Sequence, residues 1–164
     1  MPITFSFIGP INDENILALL QFVDSHPEAT NLLIKISSLG GSVSSGITIY
    51  NYLKSLPIPV HTHNLGDVAS SAILVYLAGN TRTAEDVSKF LIHPLTIGVS
   101  GDLPYYSVQE LLHKIDGDIQ NFHTVICTET NSLNGLYDID KYLRNNSLVL
   151  NKHSAYEAGI VTAL

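Results

Sequence analysis

The chain has 164 residues, of which 45% are hydrophobic and 14% charged, with a net charge of −7. That length can bury a core without disulfides or metal, and the acidic balance argues against nucleic acid and anionic membranes as partners. Cys127 is the single cysteine, so it leaves neither an internal disulfide nor a CxxC zinc site, and no apolar run reaches membrane-spanning length.

The expectation is therefore one domain (1–164), cytoplasmic, with no metal and no cofactor; the low charged fraction leaves apolar surface for self-association. The opening "MPITFSFIGPINDENI" has no basic segment leading into a sustained apolar one, so no signal peptide is expected.

Along the chain, strand patterns alternate with helix patterns. "ITFSFIG" (3–9) is β-rich and ends at Gly-Pro, which predicts a strand and a turn. In "DENILALLQFVDSH" (13–26), Ile16, Leu19, Leu20 and Val23 fall at helical spacing, with Asp13 as N-cap and Pro27 as stop. "NLLIKISS" (31–38) predicts a strand covered on both faces. A glycine-rich turn, "LGGSVSSG" (39–46), precedes a helix over 47–56, and "VHTHNL" (60–65) resumes as a strand.

"GDVASSAILVYLAG" (66–79) then places a glycine turn and two serines before an apolar helix. A polar connection leads to a strand, "KFLIHPLTIGV" (89–99). The longest helical pattern, 107–130, carries Leu111, Leu112, Ile115, Ile119, Phe122, Val125 and Ile126 on one stripe. A short helix within 153–161 closes at Gly159. Repeated strand-turn-helix units predict an α/β fold with right-handed crossovers.

The Ser70-Ser71 pair has two readings. Serines cap helix starts by accepting bonds from free N–H groups. A nucleophile mounted there would have those same N–H groups and the helix dipole to stabilise negative charge. The turn at Gly40-Gly41 lets backbone N–H groups approach a bound group closely, and His93 stands at a strand end some twenty residues beyond the serines. A serine hydroxyl becomes a useful nucleophile once a base takes its proton, and a tetrahedral intermediate needs donors already in place. His61 and His63 share a strand face, but no third ligand is in reach by sequence, so a metal site is not expected there.

The ordered set "SSLGGSVSSGITIYNYL", "LGDVASSAILVYLAG" and "KFLIHPLTIG" resembles the proteolytic subunit family of the Clp protease, the ClpP-like serine peptidases. "FIGPINDENI" is similar to the family's first strand and turn, the helix after "GVSGDL" falls where the family has its handle, and "SAYEAGIV" resembles its closing motif. The resemblance implies a ClpP/crotonase-type α/β fold with a protruding handle helix. It implies Ser70 as nucleophile, His93 as general base, and the N–H groups of Gly41 and Ser71 as oxyanion hole. It also implies peptide or unfolded-protein substrates and a homo-oligomeric ring, most simply a heptamer stacked as a double ring.

The family's third catalytic member breaks the pattern. Its aspartate lies twelve residues before the closing glycine, which lands on Ser147, and no acid lies between Arg144 and Ser154. Asn145 or Asn146 could orient His93 through a side-chain carbonyl, and Asn146 is taken as the third member; Asp138 and Asp140 are nearby acids on a preceding helix.

Leu39 stands where the family turn carries proline, and Ala72 replaces a family glycine. The first strand begins at Ile3, without the family's preceding segment that engages an ATPase, so an ATPase partner is not expected. Two functions follow: a serine endopeptidase using Ser70 and His93, or a catalytically impaired ring subunit with a structural or regulatory role. A crotonase-like acyl-CoA enzyme shares the oxyanion logic, but nothing here marks a CoA site.

Overall fold

The computed structural model of the chain describes residues 1–130 and 133–164. Strand β1 (Pro2–Ile8) leads into helix α1 (Asp13–Asp24), β2 (Asn31–Ser38) into α2 (Val43–Ser55), and β3 (Val60–Ala69) into α3 (Ala72–Leu77). Two short strands follow, β4 (Thr81–Ala84) and β5 (Lys89–Ile92), and then the long helix α4 (Tyr105–Glu129). The chain closes with α5 (Leu133–Leu136), α6 (Ile139–Arg144), β6 (Leu148–Asn151) and α7 (Lys152–Glu157).

The sheet runs β1-β2-β3-β5-β6. All its pairs are parallel except β5 with β6, which is antiparallel. Strand β3 serves two neighbours in turn: His61–Asn64 pair with β4, and Asp67–Ala69 pair with β5. This division brings the end of β5 beside the end of β3.

On β2, Leu32, Ile34 and Ile36 are fully buried while the alternate positions are half-buried, as a sheet covered on both faces requires. All six residues of α3 are buried, and they join the apolar cluster that runs from Ile3 to Val161.

Several boundaries differ from the sequence expectation, each for a local reason. Asn12, not Asp13, caps α1: its side chain accepts the Asn15 N–H at 2.9 Å. That frees the Asp13 carboxylate to accept from the Ser45 hydroxyl at 3.0 Å, tying α1 to α2. Helix α2 starts at Val43, a turn earlier than expected, because Ser42 caps it through the Ser45 N–H. Gly66 lies inside β3 and marks no turn before a helix. The strand expected over 89–99 stops at Ile92, since Pro94 has no N–H to continue the ladder. Strands β4 and β6 were not expected at all.

On α4 only Ile119, Phe122, Val125 and Ile126 are buried. Leu112, expected on the same stripe, is exposed, as are Tyr105, Tyr106 and Val108, so the first half of the helix stands away from the core. Among the described residues no helix is long and apolar enough to cross a membrane.

Arg82 is buried at the junction of β4, α4 and the C-terminal segment. Its Nε donates to the Ile160 carbonyl at 2.7 Å, Nη1 to Gly79 at 3.1 Å, and Nη2 to Glu129 and Gly159 at 2.9 and 3.0 Å. The Glu129 carboxylate lies 3.7 Å from Nη1 and also takes the Tyr50 hydroxyl at 2.6 Å and Lys54 at 2.9 Å. Burial pulls the guanidinium below its ordinary pKa, with Glu129 opposing; burial and the Glu129 carboxylate push the Tyr50 phenol up.

Candidate active site

The C-terminal ends of β2, β3 and β5 lie side by side, which is where parallel α/β sheets place their sites. After β2 the chain turns through Gly40 (φ 95°) and Gly41 (φ 156°). The turn is pinned to Ile11, whose N–H donates to Gly40 O at 3.0 Å and whose carbonyl accepts the Ser42 N–H at 2.9 Å. Gly41 sits between those two bonds with its own N–H turned away from Ile11. A Cβ on Gly41 would collide with the Ile11 carbonyl, and one on Gly40 would lie 2.7 Å from both Ala69 O and Ser70 Cβ. Only glycines let the turn approach the end of β3 this closely.

After β3, Ser70 has φ 55°, and among the described residues it alone, besides glycines, has a positive φ. Such a conformation carries strain of about 1–3 kcal/mol and is typically kept where a side chain must be presented. Ser70 is locked by its N–H donating to Leu91 O on β5 at 2.8 Å and by its carbonyl accepting from Ile73.

Neither serine caps α3. Ser71 occupies the cap position without a side-chain bond, and among the described residues its buried hydroxyl has no partner. The capping explanation for the serine pair therefore fails, and what the arrangement leaves free is backbone. Among the described residues neither the Gly41 N–H nor the Ser71 N–H has an acceptor. Ser71 N lies 3.2 Å from where a Gly40 Cβ would be, so it stands against the glycine turn.

His93 follows β5 directly, two residues past the carbonyl that holds Ser70. Gly41, Ser70 and His93 line one cavity of about 510 Å³. Leu95, Ile97 and Ile115 give it apolar walls, and Lys114 and Asp118 reach it from α4, paired with each other at 3.4 Å. Ser70 and His93 share this cavity without a hydrogen bond between them.

The His93 Nδ1 donates instead to the Pro94 carbonyl at 2.8 Å. Asn146 is exposed in the turn between α6 and β6, with its N–H on Lys141 O; the structure does not pair it with His93. Asn145 is likewise exposed, Asp138 caps α6, and Asp140 holds Arg144. None of these side chains reaches the imidazole.

His63 does have an acid at hand, Glu85 at 3.1 Å, with Thr83 on its other nitrogen at 2.8 Å. Among the described residues, however, no group of three ligands suited to a metal occurs. Lys114 and Asp118 were missed by sequence reasoning, since only the packing of α4 over the cavity brings them near Ser70.

The sequence matches the Clp protease family over residues 7–163. It is 28% identical over 106 residues to the ATP-dependent Clp protease proteolytic subunit of Borreliella afzelii (strain PKo), an alignment covering 62% of this chain and 54% of that protein. It is 34% identical over 98 residues to the subunit of that name from Pleurastrum terricola, covering 57% of this chain and 50% of the other. The alignments thus span about half the length of these curated relatives. A solved structure of a ClpP1 mutant from Listeria monocytogenes superposes with a TM-score of 0.80 over 97% of this chain and 88% of that one, at 24% identity, showing the same fold.

Proposed function

The chain belongs to the Clp protease family, and we propose that it is a serine-type peptidase with Ser70 as nucleophile and His93 as general base. The observation that carries this is a strained Ser70 in one cavity with Gly41 and His93, with the N–H groups of Gly41 and of the adjacent Ser71 free of acceptors among the described residues.

As the Ser70 Oγ attacks a peptide carbonyl carbon, its proton passes to the His93 Nε2 and the carbonyl electron pair moves onto oxygen. The Gly41 and Ser71 N–H groups receive that oxyanion, a contribution of about 3–4 kcal/mol per donor in serine proteases. Collapse re-forms the carbonyl and breaks the C–N bond, and the leaving amine takes the proton from His93. Water then repeats the sequence on the acyl-serine, releasing the acid and restoring Ser70.

The cavity's apolar walls suit an uncharged side chain beside the scissile bond. The substrates proposed are short peptides or unfolded chains entering a homo-oligomeric ring, heptameric and stacked in pairs, in the cytoplasm. The exposed apolar side chains on the first half of α4, Tyr105, Tyr106, Val108 and Leu112, support assembly through that helix.

A second reading, a catalytically impaired ring subunit, is favoured because, among the described residues, no carboxylate bonds His93 and Ser70 and His93 are not bonded to each other. Turnover of a quenched fluorogenic peptide by the assembled protein separates the two. The peptidase reading expects cleavage that disappears in Ser70→Ala. Absence of cleavage by a correctly assembled wild-type ring moves the assignment to the impaired subunit.

A further inference from the structure

We propose that the main-chain carbonyl of Pro94 holds the place of the missing acid as the positioning group of His93. The inference rests on the peptidase reading of Ser70 and His93 and deepens it. A general base at Nε2 must have that nitrogen bare, so the ring proton must sit on Nδ1, and something must accept from it. The Pro94 oxygen does so at 2.8 Å. A carbonyl oxygen can only accept, so this bond fixes the tautomer in which Nε2 is unprotonated.

The carbonyl is itself held in place. The Pro94–Leu95 peptide is planar and trans, so its N–H points opposite to its C=O. That N–H donates to the Leu143 carbonyl of α6 at 3.0 Å, which aims the Pro94 oxygen from the other side. The proline ring fixes its own φ and restricts His93 to extended backbone, so neither end of the unit turns freely. The region from which the family's acid comes thus acts here through the backbone of α6.

The charged groups that share the cavity do not compete for Nδ1. Asp118 is paired with Lys114 at 3.4 Å, and neither is bonded to the imidazole.

A carbonyl supplies orientation without a full negative charge. In a serine protease, replacing the acid by its amide lowers turnover by ~10⁴, mainly through the wrong tautomer. A carbonyl that selects the right tautomer removes most of that deficit.

Magic-angle-spinning ¹⁵N NMR of the assembled, histidine-labelled protein tests this directly. The chain has seven histidines, and the His93 signals are identified by their loss in His93→Gln. The expected result is a pyrrole-type Nδ1 and a pyridine-type Nε2; the opposite tautomer, or an even mixture, overturns the proposal.

Ser70 acylation rates in Asn146→Asp and Ser147→Asp give a second readout. With the Nδ1 position already filled, an added acid changes the rate by less than about tenfold, whereas an unoriented His93 would gain a large part of ~10⁴. A gain of that size, with the Nδ1 signal moving to a carboxylate-bonded position, overturns the proposal. The peptidase reading fails separately: Ser70 would then resist acylation while His93 still carried its proton on Nδ1.

Discussion

His93→Ala is expected to slow acylation of Ser70 by about 10⁴–10⁶-fold, the range over which losing the base silences a serine peptidase. At about 1.4 kcal/mol per tenfold, this corresponds to roughly 5–8 kcal/mol of transition-state stabilisation. The effect is expected to be confined to chemistry, because His93 is only half-buried and, among the described residues, its side chain bonds only to the carbonyl of the next residue. The urea midpoint of the variant is expected to stay near that of the parent. Adding Ser70→Ala to His93→Ala lowers activity little further, since residues that act as one unit do not add. A rate within tenfold of the parent, in a variant that folds and assembles, removes His93 from the mechanism.

Arg82→Met is expected to cost about 3–5 kcal/mol, the penalty of breaking a buried ion pair by removing one partner. Four backbone carbonyls, those of Gly79, Glu129, Gly159 and Ile160, lose their donor at once. The Glu129 carboxylate keeps Tyr50 and Lys54 but loses the guanidinium. Against a total stability of about 5–15 kcal/mol, such a loss is large. Arg82→Lys keeps a charge opposite Glu129 without the planar fork and falls between parent and Arg82→Met. Equilibrium urea unfolding measures both, and an Arg82→Met stability within about 0.5 kcal/mol of the parent contradicts the role assigned to this residue.

The parts of this molecule that were legible from its residues are those with a residue-type requirement. Gly40 and Gly41 stand out because only glycine tolerates their φ and their close approach, Gly40 to Ala69 and Ser70 and Gly41 to Ile11. The apolar period of α1 and the run 72–77 announce buried helices. The strand-end Ser70 and His93 come together in one cavity with Gly41, as the order of the three in the chain suggests.

Other features left no such mark. Strands β4 and β6 have four residues each, and "TRTA" and "LVLN" owe their conformation to β3, β5 and the C-terminal segment rather than to their own propensities. Arg82 carries no mark in the sequence, because the carbonyls it satisfies lie about 50 to 80 positions away or in its own turn. The partner of His93 was illegible for the plainest reason: every residue carries a carbonyl, so a main-chain acceptor has no signature in the side-chain alphabet. Looking for an acid or amide pointed to Asn146, which lies exposed in a turn.

Covalent capture tests directly whether Ser70 is an activated nucleophile. The assembled protein is treated with a serine-reactive fluorophosphonate and the adduct is located by peptide mass mapping. The expected result is a single phosphonylated residue, Ser70, and no adduct in Ser70→Ala. An adduct on a different serine, or none on a correctly assembled ring, contradicts it.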